Sequence, residues 1–419
     1  MFRCYLKLKI QEMQNKVFLR SKIYATLIGF YICTLFFNIL SINVKCIFMV
    51  FLIFSGNILC SGANYVKSIK LSVLFFIIAF IYSSLDIGLN TNMVIVQALT
   101  IISAIVMCGM LKKLSYTQMK FLTFLVLSLF LYSILWTYYY LLVDPMYIRL
   151  FGYGNNNEFV MPFYAAGLDY GNGEGLAIVL PAFLCLPMNA KNIILKITCL
   201  IIVISGIVVQ LMATLTTSAL LSIIFCVVIL TMYIISSKRK IPLVIILTLS
   251  LFIAVSIFSD FTLSDNVQLI MKMEDVNDSF SSGHSTGQVE SRFELYWQSI
   301  SVFISNPIFG LGKVPTTFGI YDDKTVSLHT TVFDYLGMYG LFSFLLFLAW
   351  KNVIAENLKK ISEEKRKFYK WAIVSLISLL CLKGPVSIGI NFIFSTLLIG
   401  ILCWFEYYQS DYDIKIKDE

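Results

Sequence analysis

The feature that most constrains this chain is a series of twelve uninterrupted apolar runs. They lie near residues 23–40, 46–60, 69–87, 93–111, 121–143, 173–188, 193–211, 217–236, 241–259, 330–350, 369–384 and 386–406. A helix needs roughly 20 apolar residues to cross about 30 Å of hydrocarbon. Backbone in lipid must satisfy its own hydrogen bonds, so spanning segments are helices or closed barrels. Barrel strands alternate apolar and polar residues over about ten positions, and these runs do not alternate. The expected fold is an all-α polytopic membrane protein with about 12 transmembrane helices. The last two runs are separated only by Lys383-Gly384-Pro385, so a single broken helix, giving eleven, is the alternative.

Composition agrees. Apolar residues make up 58% of the 419 and charged residues 13%, against roughly 25% charged in soluble domains. So few charges cannot cover a water-facing surface, which argues against a soluble enzyme, a nucleic-acid binder or a secreted disulfide scaffold. The ten cysteines are scattered and form no CxxC pair, so neither a zinc site nor a disulfide framework is indicated. The basic, then apolar N-terminus reads as a retained signal-anchor.

The lysines and arginines orient the spans. With the N-terminus in the cytoplasm, the cytoplasmic segments hold 25 of the 32 basic residues. The exterior receives Lys45, Arg149, Lys272, Arg292, Lys313, Lys324 and Lys383. This is the positive-inside pattern, and it predicts that both termini are cytoplasmic. The net charge of +8 is therefore a topology signal, whose only implied partner is anionic membrane lipid.

Two expected exterior segments are long: 144–172 and 260–329. Structureless loops beyond about 12–15 residues are usually functional or disordered. Within the longer loop, Phe293, Trp297, Ile300 and Ile304 recur at helical steps. They predict an amphipathic helix over 290–304 lying along the outer membrane surface. Arg292, Tyr296 and Ser299 share its other flank. Asn306-Pro307 stops it and Gly310-Leu-Gly312 turns the chain. The spans carry almost no ionisable groups. Asp334 lies about one turn into the tenth, and Glu174 and Lys383 sit at outer ends. A charge-free midplane argues against an ion-coupled transporter and moves the expected site to the outer interface.

Arg149, Arg292 and His329 are notable there. Arginine presents a planar fork of donors matched to phosphate, and a polyprenyl diphosphate carries its phosphates at this depth. Snorkelling arginines and a packed interface histidine are the plainer alternatives.

These residues also carry a family pattern. The stretch Arg292-Phe-Glu-Leu-Tyr-Trp297, then Asn306-Pro307-Ile-Phe-Gly310-Leu-Gly312, then His329-Thr330 with Gly340 following, resembles the O-antigen ligase and polymerase superfamily. Arg149-Leu-Phe-Gly152 and Asn172-Gly173 resemble a second family segment. Thr330 stands where the family carries Asn, and Ser343 where it carries the last Gly. The resemblance implies a GT-C-like membrane glycosyltransferase of the bacterial cytoplasmic membrane. It would move glycan from undecaprenyl diphosphate to an acceptor on the outer face. A polymerase would use the next lipid-linked repeat unit as acceptor, and a ligase a surface acceptor. The departures favour the polymerase, and the resemblance implies a flippase and a chain-length regulator of the same pathway as partners.

The chemistry expected of such a site is simple. A sugar diphosphate is already activated, so no cofactor and no metal are called for. An acceptor hydroxyl must be held near the anomeric carbon, and the leaving diphosphate must be stabilised. Arg149 and Arg292 are the candidates for the leaving group, with Lys313 third. His329 is the candidate base, since imidazole can take a proton near neutral pH. Glu294 and Asp334 are alternatives for that role, and Tyr296 is a candidate substrate contact. The rival readings are a lipid-linked oligosaccharide flippase and a non-enzymatic scaffold.

Overall fold

The computed structural model describes residues 21–34, 36, 42–57, 63–85, 91–143, 148, 168, 170–189, 192–213, 215–236, 288–312, 326–327, 329–383 and 388–418. The chain is an all-α polytopic membrane protein, and no strand occurs among the described residues. Its helices are α1 (21–34), α2 (Ile42–Asn57), α3 (Ala63–Leu85), α4 (Thr91–Leu111) and α5 (Tyr116–Val143). Then come α6 (Tyr170–Asn189), α7 (Ile193–Met212), α8 (Thr216–Ser236) and α9 (Gln288–Ser305). The last are α10 (Thr331–Tyr339), α11 (Ser343–Leu358), α12 (Glu363–Leu382), α13 (Ile388–Ile393) and α14 (Ile399–Asp418). A π-helical turn, Phe394–Leu398, joins α13 to α14.

Among the described residues, 7 helical segments are long and apolar enough to cross a membrane. Asn43–Ser55 and Asn172–Leu186 are shorter apolar helices. The expected span 241–259 lies outside the described residues. Helix α12 opens with Glu363-Glu364-Lys365-Arg366-Lys367, and those charges leave its apolar part short. The pair α12 and α13–α14 is a hairpin of two helices, not one broken rod. Tyr369 donates to Glu406 at 3.3 Å, and Lys365 lies 3.9 Å from the same carboxylate. The start of one helix therefore meets the far end of the other.

Helix starts are set by polar chemistry that hydropathy ignores. The expected span 121–143 begins five residues earlier, as α5, because Ser115 and Gln118 form a capping box. The Ser115 amide donates to Gln118 Oε1 at 2.9 Å, and the Gln118 amide donates to Ser115 Oγ at 3.4 Å. At α7 the Asn192 side chain accepts from the Ile194 amide at 2.9 Å.

The segment Ile388–Ser410 is the centre of the bundle, 89% buried against 44–61% for the other long spans. Helices α4, α5, α6 and α11 surround it. Helix α3 packs on α4 and α11, α6 packs on α7, α8 and α12, and α9 packs on α10. Large apolar side chains such as Phe54, Phe80, Phe121 and Ile193 point outward. Lipid, not water, is the solvent that makes such a surface stable.

The two ends of the bundle differ. At one, Glu356 takes Lys112 at 2.7 Å, Asn64 at 2.6 Å and Lys359 at 3.2 Å. That is the end which the charge pattern assigns to the cytoplasm. The opposite end holds His329, Asp334, Lys383 and Glu174.

Candidate active site

The turn after α9 is docked onto a break in the next membrane span. The Gly310 amide donates back to the Asn306 carbonyl at 2.8 Å and closes the turn. The Leu311 and Gly312 amides then donate to the carbonyls of Gly337 (2.7 Å) and Met338 (3.3 Å). In return, the Leu341 amide donates to the Pro307 and Ile308 carbonyls at 2.9 and 3.2 Å. The span opens into a 3-10 turn at Gly340–Phe342, and carbonyls at the end of α10 find their donors in the docked turn. Backbone polar groups freed in a span must be satisfied in this way. The Tyr82 hydroxyl adds a bond to the Phe309 carbonyl at 3.2 Å.

Glycine is required at both sides of this joint. Gly310 has φ 63° and Gly340 has φ 56°, a region that costs an L-residue roughly 1–2 kcal/mol. A Cβ on Gly310 would lie 2.5 Å from the Gly337 carbonyl oxygen, and one on Gly340 would strike the Ile308 carbonyl. Backbone cannot yield as a side chain can. Gly340→Ala is therefore expected to cost at least about 2 kcal/mol, read as a lower Tm of the purified protein in detergent. Gly312→Ala, which meets nothing within 4 Å, is the control and should lose less. Equal losses would show that the joint is loose.

Next to this joint lies a buried polar knot around Asp334. Its Oδ1 accepts from the Ser299 hydroxyl at 2.5 Å and the Ser327 hydroxyl at 2.9 Å. Its Oδ2 accepts from the Thr330 amide at 2.7 Å. Ser299 Oγ also accepts from the Ser327 amide at 2.9 Å. One carboxylate thus ties α9, residues 326–327 and the start of α10 together. Asp334, Ser299, Ser327 and Thr330 are all buried.

His329 hangs from this knot. Its amide donates to Ser327 Oγ at 3.2 Å, and its Nδ1 lies 2.7 Å from the Ser327 carbonyl oxygen. A carbonyl can only accept, so Nδ1 carries a proton. In the neutral ring the lone pair is then on Nε2, the arrangement that a second partner imposes on a functional histidine. The ring is half-buried.

A second junction sits beside the first. The Thr331 amide and hydroxyl donate to the Lys383 carbonyl at 2.5 and 3.0 Å. The Tyr296 hydroxyl donates to the Leu382 carbonyl at 3.3 Å. The Lys383 ammonium lies 2.8 Å from Glu174 Oε1, with both side chains almost fully buried.

Of the residues singled out in the sequence, the structure brings His329, Asp334 and Tyr296 to one end of the bundle. Glu294 is exposed on α9. The backbone of Arg292 lies in α9, one turn before Tyr296, and its side chain is outside the described residues. Arg149 and Lys313 also lie outside them. The amphipathic helix is present, as α9. Trp297 and Ile304 face outward while Ser299 and Val302 are buried, so its polar flank packs on the protein and its apolar stripe faces outward. Sequence reasoning missed Ser327 and the roles of Ser299, Thr331 and the Glu174–Lys383 pair. Ser299 was legible as a member of the Arg292–Tyr296 flank. Ser327 gives no signal of its own. Among the described residues no three His, Cys, Asp or Glu side chains converge as a metal site.

Comparison with known proteins adds one finding. Residues 200–348 match the family model described as O-antigen ligase. No curated protein matches the chain. The matched stretch contains α9, the docked turn, His329, the Asp334 knot and the break at Gly340. The same residues carry the resemblance and the buried geometry, and through them the stretch 200–348 is similar to the O-antigen ligase family.

Proposed function

We propose that this protein is a polysaccharide repeat-unit polymerase. In this reading it is a GT-C-type enzyme on the outer face of the bacterial cytoplasmic membrane. It transfers a growing glycan from undecaprenyl diphosphate to the next lipid-linked repeat unit. The observation that carries the reading is His329, tethered through Nδ1 to the Ser327 carbonyl at 2.7 Å, at the start of a span and within the family-matched stretch. The acceptor hydroxyl oxygen attacks the anomeric carbon and its proton passes to His329 Nε2. The bond from that carbon to the diphosphate oxygen breaks, and the diphosphate leaves with the electron pair. Arg149 and Arg292 take up the charge on the leaving group, with Lys313 in support. Tyr296 and Glu294 border the substrate. Asp334 acts through Ser327 and Thr330 to hold His329. No divalent metal enters this mechanism.

Arg292 supplies a direct test. Arg292→Lys keeps the charge but loses the two-pronged contact with phosphate. Expected is a loss of about tenfold or more in glycan output, since a charge-assisted contact is worth roughly 1.5–3 kcal/mol. Full output from Arg292→Lys would remove Arg292 from the site.

The ligase is the second reading, favoured by the description of the matched family. Deletion separates the two. Loss of a polymerase leaves single repeat units displayed outside. Loss of a ligase leaves long chains that stay on the lipid carrier. Loss of a flippase traps repeat units inside the cell and would refute both.

A further inference from the structure

The buried ion pair between Glu174 and Lys383 lies outside the family-matched residues, and the mechanism above does not use it. An isolated buried pair is a poor stabiliser, because desolvating two charges costs several kcal/mol per ion. Lys383 is nevertheless placed where four elements meet. Helix α12 ends at Leu382, and a helix end leaves carbonyls without intrahelical donors. Here the Leu382 carbonyl takes the Tyr296 hydroxyl of α9. The Lys383 carbonyl takes both the amide and the hydroxyl of Thr331, the first residue of α10. The Lys383 side chain crosses to Glu174 in α6. Thr331 is two residues from His329, and Glu174 is two residues beyond the segment 144–172 that carries Arg149.

We propose that Glu174 and Lys383 are positioning residues that lock the His329 side of the site to the start of α6. The proposal rests on the glycan-transfer reading. The corner works through the Leu382 and Lys383 main-chain carbonyls and the Lys383 side chain. The ion pair fixes where α12 ends relative to α6. The two carbonyls then fix α9 and the first residue of α10 relative to α12. Without the pair, the carbonyls remain but the corner that presents them is free to shift. A misplacement of about 1 Å at a reacting centre can cost about 10²-fold in rate. A positioning role therefore predicts loss of turnover with little change in substrate affinity.

The test uses the full-length protein, purified in detergent, with lipid-linked repeat units extracted from cells deleted for this gene as substrate. The variants are Lys383→Met, Glu174→Gln and the reversed pair Glu174→Lys/Lys383→Glu. Reversal keeps both main-chain carbonyls and restores the ion pair. Expected is a fall of about 10²-fold in kcat for each single variant, with KM within about twofold, and recovery of most of it by the reversed pair. Single variants with wild-type kcat would overturn the proposal. A rise in KM alone would overturn it too, by making Lys383 a direct substrate contact, as would a reversed pair that is folded but inactive. Should the single variants fail to accumulate in the membrane, the reversed pair decides alone. Normal level and turnover support the lock, and absence or inactivity refutes it. If the wild-type protein itself elongates nothing, the polymerase reading fails, and the lock is then scored by the same variants on transfer to a surface acceptor.

Discussion

Replacing His329 with alanine is expected to abolish long-chain glycan in cells while the protein remains in the membrane at its normal level. The reasons are local. The backbone of His329 is held by the Ser327 hydroxyl at 3.2 Å, and its ring Nδ1 lies 2.7 Å from the Ser327 carbonyl oxygen. Removing the ring leaves Ser327, Ser299 and Thr330 bonded to Asp334 as before. The knot and the docked turn should survive, so folding should be almost unaffected. The proton acceptor is lost entirely. General-base help is worth about 10²–10⁴ in rate, and a chain-elongating enzyme slowed by that factor would yield only the shortest products. Sizing of the surface glycan, with an immunoblot of the membrane fraction, checks this. A wild-type length distribution in His329→Ala would end the assignment of His329 as base. Loss of the protein from the membrane would make its role structural.

The opposite pattern is expected at Asp334. Asp334→Ala removes the acceptor of two buried hydroxyls and one buried amide. A buried donor left without a partner costs roughly 1–3 kcal/mol, and three such donors are left here. The variant should therefore show a marked fall in Tm in detergent as well as inactivity. Asp334→Asn keeps the shape and one acceptor oxygen, and should fall between. If Asp334→Ala were as stable as wild type but inactive, Asp334 would touch the substrate rather than hold His329. If it were stable and active, the knot would have no role in the site. Together the two variants separate a residue that reacts from a residue that holds one that reacts.

Much of the architecture was readable from apolar runs. The runs 93–111, 193–211 and 217–236 match α4, α7 and α8 within two residues. The run 121–143 was read short because Ser115 and Gln118 start the helix with polar hydrogen bonds. The run 369–384 was read short because α12 begins in charged residues at Glu363. Hydropathy marks where a helix meets lipid, and caps mark where it begins. The turn at 306–312 was readable from its proline and glycines. Its target, the break at Gly340, was in the same motif, but nothing in the residues said that the two pieces touch.

What the chain alone determined is what one dimension can carry. The length of each apolar run predicts that it spans, because lipid offers the backbone no partner. The excess of basic residues in alternate loops predicts which way it faces. The spacing of Trp297, Ile300 and Ile304 decides that α9 has an apolar stripe. What only the tertiary structure decided is which side chains share a site. Asp334 draws donors from residues 299, 327 and 330, and Lys383 meets Glu174 across most of the second half of the chain. Such pairings depend on the rotation and depth of each helix within the bundle. Those are set by packing against neighbours, and hydropathy is silent about both.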